Sequence, residues 1–477
     1  MDITGFTATE IVDDITDGKL TAIQVAESLI DHAKACAHLN SLISFDVDRF
    51  LDAAHTADQD LAEGGYVGPL HGLPMVIKDN IDIAGFVTSA ATPALKNHRP
   101  KETAPVMQKL LDAGAIVMSK ANMHEMAFTP GVAQPEDGSE TVWGTFGNAR
   151  NPYDTDRGPA GSSSGTGAAV SARIAPAGLG SDTGGSVRNP SAWCGVAGLR
   201  PTTQRYSQHG VVPISWTRDT IGPMARRVAD LELLDRVIKD EEEVGPADLS
   251  KLRLGIDRGF FCADCDPDIL ALFEGEAERL AGAGAEIVEI TVPNLTGFMS
   301  KAGQVLAIYE FFRAVPKYLE ETGADVTFED LISQIAASGL SARFTALGSS
   351  EAVSEEVYRE SITEVRPALQ ATYSDAFEDN SLDALIFPST IIPATRLDTW
   401  GTHTMGGVEV SDFMASSRNV QPASIGGFPG LTVPMGLTRA GLPAAIGFDG
   451  PQNSDRKMLS IGMAYEAIRP AMPGPNL

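Results

Sequence analysis

The sequence is short of several things, and each shortage excludes something. Four cysteines in 477 residues are too few for a disulfide framework. Cys262-Ala-Asp-Cys265 has the C-x-x-C spacing, but no second pair accompanies it and no thioredoxin-like helix opens between the thiols, so it reads as a loop. The eight histidines include no pair at i, i+4, so neither a metal nor another cofactor is expected. Nowhere do 18 consecutive apolar residues occur, and Met1 to Thr7 has no basic stretch leading into an apolar run. A soluble, cytoplasmic protein without membrane contact is the expectation. Positive charge is also scarce: 36 Lys+Arg, only 12 of them lysine, face 63 Asp+Glu, for a net charge of −27. Nucleic acid and anionic lipid both need a basic face, so neither is expected as a partner. An acidic, lysine-poor surface suits a saline environment as well as an ordinary cytosol.

What is present is the composition of a folded chain, with 43% hydrophobic residues and no low-complexity linker or internal repeat. Thr7-x-x-Glu10 and Thr21-x-x-Gln24 are capping boxes that predict two N-terminal helices, the second burying Val25, Leu29 and Ile30. Pro74 to Lys78 reads as an apolar strand ending on a charge. Helical spacing from Ala104 to Ala113, a capping glycine at 114 and a strand at Ile116 to Met118 then complete a βαβ unit. The alternation recurs from Leu252 to Val292, and further strands are predicted at 384–387, 431–434 and 445–448, with a closing helix from about Asp455. The fold class expected is α/β: one large domain, residues 1–477, whose central mixed β-sheet is covered by helices on both faces. Residues 1–60 would form a helical cover, which is equally a possible homodimer contact, and about 300–380 a helical, lid-like insertion.

Residues 158 to 200 stand apart. Gly158-Pro-Ala-Gly-Ser162-Ser163-Ser164-Gly165-Thr-Gly167 runs into a helix-like stretch, and Gly180-Ser-Asp182-Thr183-Gly184-Gly185-Ser186-Val-Arg188 follows an apolar run. Such clusters are ordinarily flexible turns. Here they place hydroxyls and free N–H groups at a helix start and at a strand end, where open α/β sheets collect ligands. Gly161-Ser-Ser163-Ser-Gly165 matches the G-x-S-x-G nucleophile elbow, but no strand precedes it, and the required downstream histidine could only be His209 or His403. Dinucleotide and P-loop spacings both fail.

Taken together these clusters closely resemble the amidase signature family. Ser162 and Ser186 are 24 residues apart, the family's separation, and Gly72-Leu-Pro-Met-Val-Ile-Lys78-Asp-Asn80 is similar to the segment that supplies its lysine. Pro190 to Thr202, Phe387-Pro388 and Gly427 to Pro434 are similar to its continuation, whereas Ala160 stands where the family usually has glycine. The resemblance implies a serine amidase that cleaves a C–N bond through an acyl-enzyme, acting on a small amide and water. Ser186 would be the nucleophile, Ser162 a relay on a cis peptide bond and Lys78 the base. The N–H groups of Thr183, Gly184, Gly185 and Ser186 would form the oxyanion hole.

A lysine can replace histidine as base only if burial lowers its pKa by a few units from ~10.4. Asp182 is expected to order the loop by accepting N–H groups, Arg188 to bond structurally near the site and Cys194 to pack in the core. Within the family, Asn122 to Phe128, Arg205 to Ser215 and Thr217 to Pro223 look most like indoleacetamide and mandelamide hydrolases. Phe128, Trp143, Phe146, Trp193 and Trp216 are the candidate walls of an aryl pocket, each equally at home in a core. The rivals are a carbamate, urea or oligoamide hydrolase, the amidase-type component of a tRNA-dependent amidotransferase, and a silent binding protein on the same fold.

Overall fold

The computed structural model describes residues 3–65, 67–128, 140, 142–337, 339–348, 353–398 and 402–477. Local rules act as expected at the start of the chain. Both capping boxes form, opening helices Ala8–Thr16 and Ala22–Ala35, and Val25, Leu29 and Ile30 are buried. A third helix, Val47–Ala62, adds to the two expected from caps. Asp46 caps it by accepting from Arg49 N, and it buries Phe50, Ala54 and Ala57 along one stripe.

The strands are β1 (Leu42–Ser44), β2 (Pro74–Lys78), β3 (Ile116–Ala121), β4 (Ala177–Asp182), β5 (Ala197–Arg200), β6 (Thr220–Ala225), β7 (Arg253–Ile256), β8 (Glu286–Glu289), β9 (Ala384–Pro388), β10 (Thr402–Met405), β11 (Val408–Ser411), β12 (Gly430–Leu437) and β13 (Pro443–Asp449). Eleven form one sheet in the order β1-β3-β2-β4-β6-β5-β12-β13-β9-β7-β8, and β10 pairs only with β11. The sheet is mixed. β2 runs parallel to β3 and β4, and β7 parallel to β8 and β9, whereas the middle from β4 to β9 is antiparallel at every step. Helices flank it and the chain forms a single domain, as the alternation of elements predicts.

The described residues between 295 and 379 are mostly helical. They are led by Leu295–Thr322, which continues through Pro316, and closed by Arg366–Asp379. A separate apolar cluster gathers beneath this region, with Phe311, Leu331 and Phe344 fully buried. Among the described residues no helix is long and apolar enough to cross a membrane.

Candidate active site

Two parallel neighbours set up the site. The register of β2 on β4 pairs Ile77 with Leu179, so Lys78 and the segment after Gly180 leave the sheet at the same edge. Helix Ser164–Ser171 lies over β4 because Gly180 offers no side chain: a Cβ there would stand 2.6 Å from Ser163 Oγ. The start of that helix is fixed against β3 by Gly165 N donating to Asn122 O at 2.8 Å. A Cβ on Gly165 would meet Asn122 N and Ser41 O at 2.4 Å, both backbone atoms that cannot rotate away. Gly165→Ala should therefore destabilise the protein by at least ~1–3 kcal/mol, read as a lowered urea midpoint at unchanged slope.

This packing brings Lys78 and Ser162 into contact. Lys78 Nζ donates to Ser162 Oγ at 2.7 Å and to Ser181 Oγ at 2.8 Å, and Asn80 Nδ2 also donates to Ser181 Oγ, at 3.0 Å. Ser163 N donates to Ser186 O at 3.1 Å, which holds the two serine clusters side by side. The Gly161–Ser162 peptide is cis. Lys78 and Ser162 are wholly buried, and Ser186 is 8% exposed. Burial pushes the Lys78 ammonium down to about 7, although Asp182 and Asp219 both favour its charge.

The other candidate bases lie elsewhere. His209 sits on the surface, 3.8 Å from Glu102, and His403 lies on β10 opposite Val410. The buried imidazole near the lysine is His124, whose pKa falls to about 3 through burial and the Lys78 charge, so it is neutral. Ser163, the nucleophile of the elbow reading, has its Oγ engaged with the backbone of Ser181, 3.3 Å from both N and O.

Asp182 organises the loop to Ser186. It accepts from Gly185 N at 2.9 Å and Val187 N at 3.2 Å, from Arg188 Nε at 3.1 Å and from Arg200 Nη1 at 2.9 Å. Burial alone would raise its pKa, but Arg188 and Arg200 hold the carboxyl well below the usual carboxylate range. Of the four N–H groups expected in an oxyanion hole, that of Gly185 donates to Asp182 Oδ1 in this conformation.

A cavity of about 630 Å³ is lined by Asn80, Ser181 and Thr183 and by Val212, Ile214 and Trp216, and does not itself include Ser162 or Ser186. Only Trp216 of the five candidate aromatics lines it. It is 39% exposed, and the loop carrying it is held by Glu310, which accepts from Ser215 Oγ and from Thr217 N. Trp193 is buried with its indole Nε1 donating to Ile392 O, and Trp143 packs on the His124 ring at 4.3 Å. Phe128 sits edge-on to Phe311 and Phe344, and Phe146 is half-buried against the same cluster. These four pack within or against apolar clusters. Cys194 is buried, and Cys262 and Cys265 are free, half-buried thiols. Among the described residues no group of three His, Cys, Asp or Glu could hold a metal ion.

The sequence reading missed Ser181, Arg200, Arg218 and Gln421. Ser181 had a signal, its place three residues along from Gly178 on the strand beside the lysine. The two arginines and the glutamine grip backbone carbonyls, and such contacts leave no pattern in a sequence.

Comparison with known proteins fits this geometry. A family profile described as Amidase matches residues 24–459. The chain is 37% identical to the indoleacetamide hydrolase of Rhizobium radiobacter over 94% of its own length and 93% of that protein's. It is 35% identical to the mandelamide hydrolase of Pseudomonas putida over 96% and 90%. It is also 32% identical to a component of the glutamyl-tRNA(Gln) amidotransferase of Deinococcus radiodurans, over 97% of each chain. The native peptide amidase of Stenotrophomonas maltophilia superposes with a TM-score of 0.80 at 28% identity, over 99% of both chains. From the serine clusters and their lysine, the eleven-stranded mixed sheet and these matches along nearly its whole length, we conclude that the chain belongs to the amidase family and is a serine amidase that hydrolyses amides.

Proposed function

We propose that the protein hydrolyses a small, hydrophobic, aryl-substituted primary carboxamide, with Ser186 as nucleophile, Ser162 as relay and Lys78 as base. The observation that carries this reading is the 2.7 Å contact between Lys78 Nζ and Ser162 Oγ in a fully buried site, where the lysine pKa falls to about 7. A neutral amine at physiological pH reverses the sense of that contact and accepts the Ser162 proton while Ser162 accepts that of Ser186.

The steps balance. Ser186 Oγ bonds to the carbonyl carbon and its proton moves through Ser162 to Lys78. The resulting oxyanion is met by the N–H groups of Thr183, Gly184 and Ser186. The C–N bond then breaks as the proton returns along the same path to nitrogen, and ammonia leaves. Water attacks the acyl ester and its proton passes to Lys78; the C–Oγ bond then breaks as that proton returns through Ser162 to Ser186 Oγ, and the carboxylic acid departs with serine and amine restored.

The aryl preference rests on the cavity wall at Val212, Ile214 and Trp216 and on the names of the relatives above. An indole ring on a substrate aryl group is worth about 0.5–1.5 kcal/mol beyond the buried area, which adds to it. Trp216→Ala should therefore raise KM for an aryl acetamide about tenfold with kcat nearly unchanged, and leave KM for propionamide where it was. The direct test is ammonia release by the purified chain alone from aryl acetamides, aliphatic amides, carbamates and ureas. Turnover of aryl amides without partner proteins supports this reading. Activity appearing only with amidotransferase partners would replace it with the amidotransferase reading.

A further inference from the structure

Four successive peptide units run from Asp182 to Ser186, and each carbonyl in them has its own donor. Arg200 Nη1 donates to Asp182 O at 2.7 Å and Arg218 Nε to Thr183 O at 3.0 Å. Gln421 Nε2 donates to Gly184 O at 3.1 Å, and Asn189 N to Gly185 O at 2.8 Å. A trans peptide is planar, so fixing its carbonyl fixes its N–H on the opposite side. The Gly184 peptide bears this out, because with its oxygen on Gln421 its N–H, that of Gly185, points to Asp182 Oδ1. By the same rule the Thr183 peptide, held from behind by Arg218, aims the Gly184 N–H away from the guanidinium.

Arg218 is itself over-determined. It is 3% exposed, donates through Nη2 to Gln421 Oε1 at 2.7 Å and through Nη1 to Gly303 O of helix Leu295–Thr322, and its own carbonyl accepts from Arg200 Nη2. Burial lowers its pKa only to about 10, so it is a cation at neutral pH. A cation on a peptide oxygen draws charge from the amide nitrogen and strengthens its N–H as a donor. That extra donor strength matters more to a full oxyanion than to a neutral carbonyl.

We propose that Arg218, braced by Gln421, is a positioning residue for the reaction, orienting and polarising the Gly184 N–H so that it favours the tetrahedral oxyanion over the substrate carbonyl. The inference rests on the Ser186 reading above. Both side chains reach the loop through its carbonyl oxygens, so both act through its backbone.

The test uses the full chain, an aryl acetamide and an arylalkyl boronic acid, which adds to the Ser186 hydroxyl as a tetrahedral anion. Arg218→Met should lower kcat about thirtyfold or more with KM within twofold, and weaken boronate binding by the same factor, while affinity for the product carboxylate holds. Gln421→Met should show the same split at smaller size, and stands in if Arg218→Met does not fold. Equal losses in substrate, product and boronate affinity, or an unchanged kcat in a folded variant, would overturn the proposal. Boronate or fluorophosphonate failing to modify Ser186 in the unaltered protein would instead remove the reading beneath it.

Discussion

Ser186→Ala should give a folded protein with native thermal unfolding and no measurable amide hydrolysis, a loss on the order of a millionfold. Two facts set this apart from a merely structural serine. Ser186 retains some exposure, at 8%, whereas Ser162, Ser163 and Ser164 are at 0 or 1%. It also follows the one turn of the described chain in which a buried aspartate, two arginines and a glutamine together fix the backbone. Fluorophosphonate labelling should map to Ser186 and vanish in the variant. Label retained in Ser186→Ala and lost in Ser163→Ala would point to the elbow chemistry, which the engagement of Ser163 Oγ with β4 disfavours.

Lys78→Met should lower amide turnover on the order of 10⁴-fold, because in the proposed mechanism one amine serves both proton transfers. The unaltered enzyme should lose about tenfold in kcat/KM per pH unit below a midpoint near 7 and reach a plateau above it, since the neutral amine is the active form. Activated esters, whose leaving groups need no proton, should suffer less than amides in the variant. Ser162→Ala should fall between, as a water can occupy the place of the bridging hydroxyl. Stability should carry the same signature. The folded pKa lies below the unfolded one, so between about 7 and 10.5 the unfolded chain binds more protons and folding strengthens with rising pH. Lys78→Met should flatten that slope, read from urea titrations at pH 7 and 9. A pH limb for amide hydrolysis that keeps its midpoint in Lys78→Met would mean that another group is the base.

Much of this architecture was legible in the residues because it is dictated locally. Capping hydroxyls three positions before Glu10 and Gln24 open the first two helices, and the apolar run of β2 ends on Lys78. The strands that escaped notice are β1, β5, β6 and the β10–β11 pair; β1, β5 and β6 are short or interrupted by Gly198, Gly222 and Pro223, and form because neighbours in space pair with them. The lysine and two serines could be named from motif and spacing. Their surroundings could not, since Arg218 meets Gln421 across 203 positions and Arg188 meets Ser424 across 236. The aromatic candidates divide for the same reason: composition supplies four tryptophans, and only packing decides that Trp193 bonds to Ile392 O while Trp216 meets solvent.

The pairing of β5 with β12 has a consequence for the birth of the molecule. Arg200 faces Gly430, so when β5 leaves the ribosome its partner is still uncoded by some 230 residues. At 5–20 residues per second, one edge of the growing sheet waits on the order of ten to fifty seconds for that partner. Gln421 and Ser424 arrive in the same late stretch. A nascent chain stalled before residue 421 would carry both serines and the lysine with the Gly184 carbonyl lacking its Gln421 donor and a strand edge open to other chains, and chaperone capture should peak in that interval.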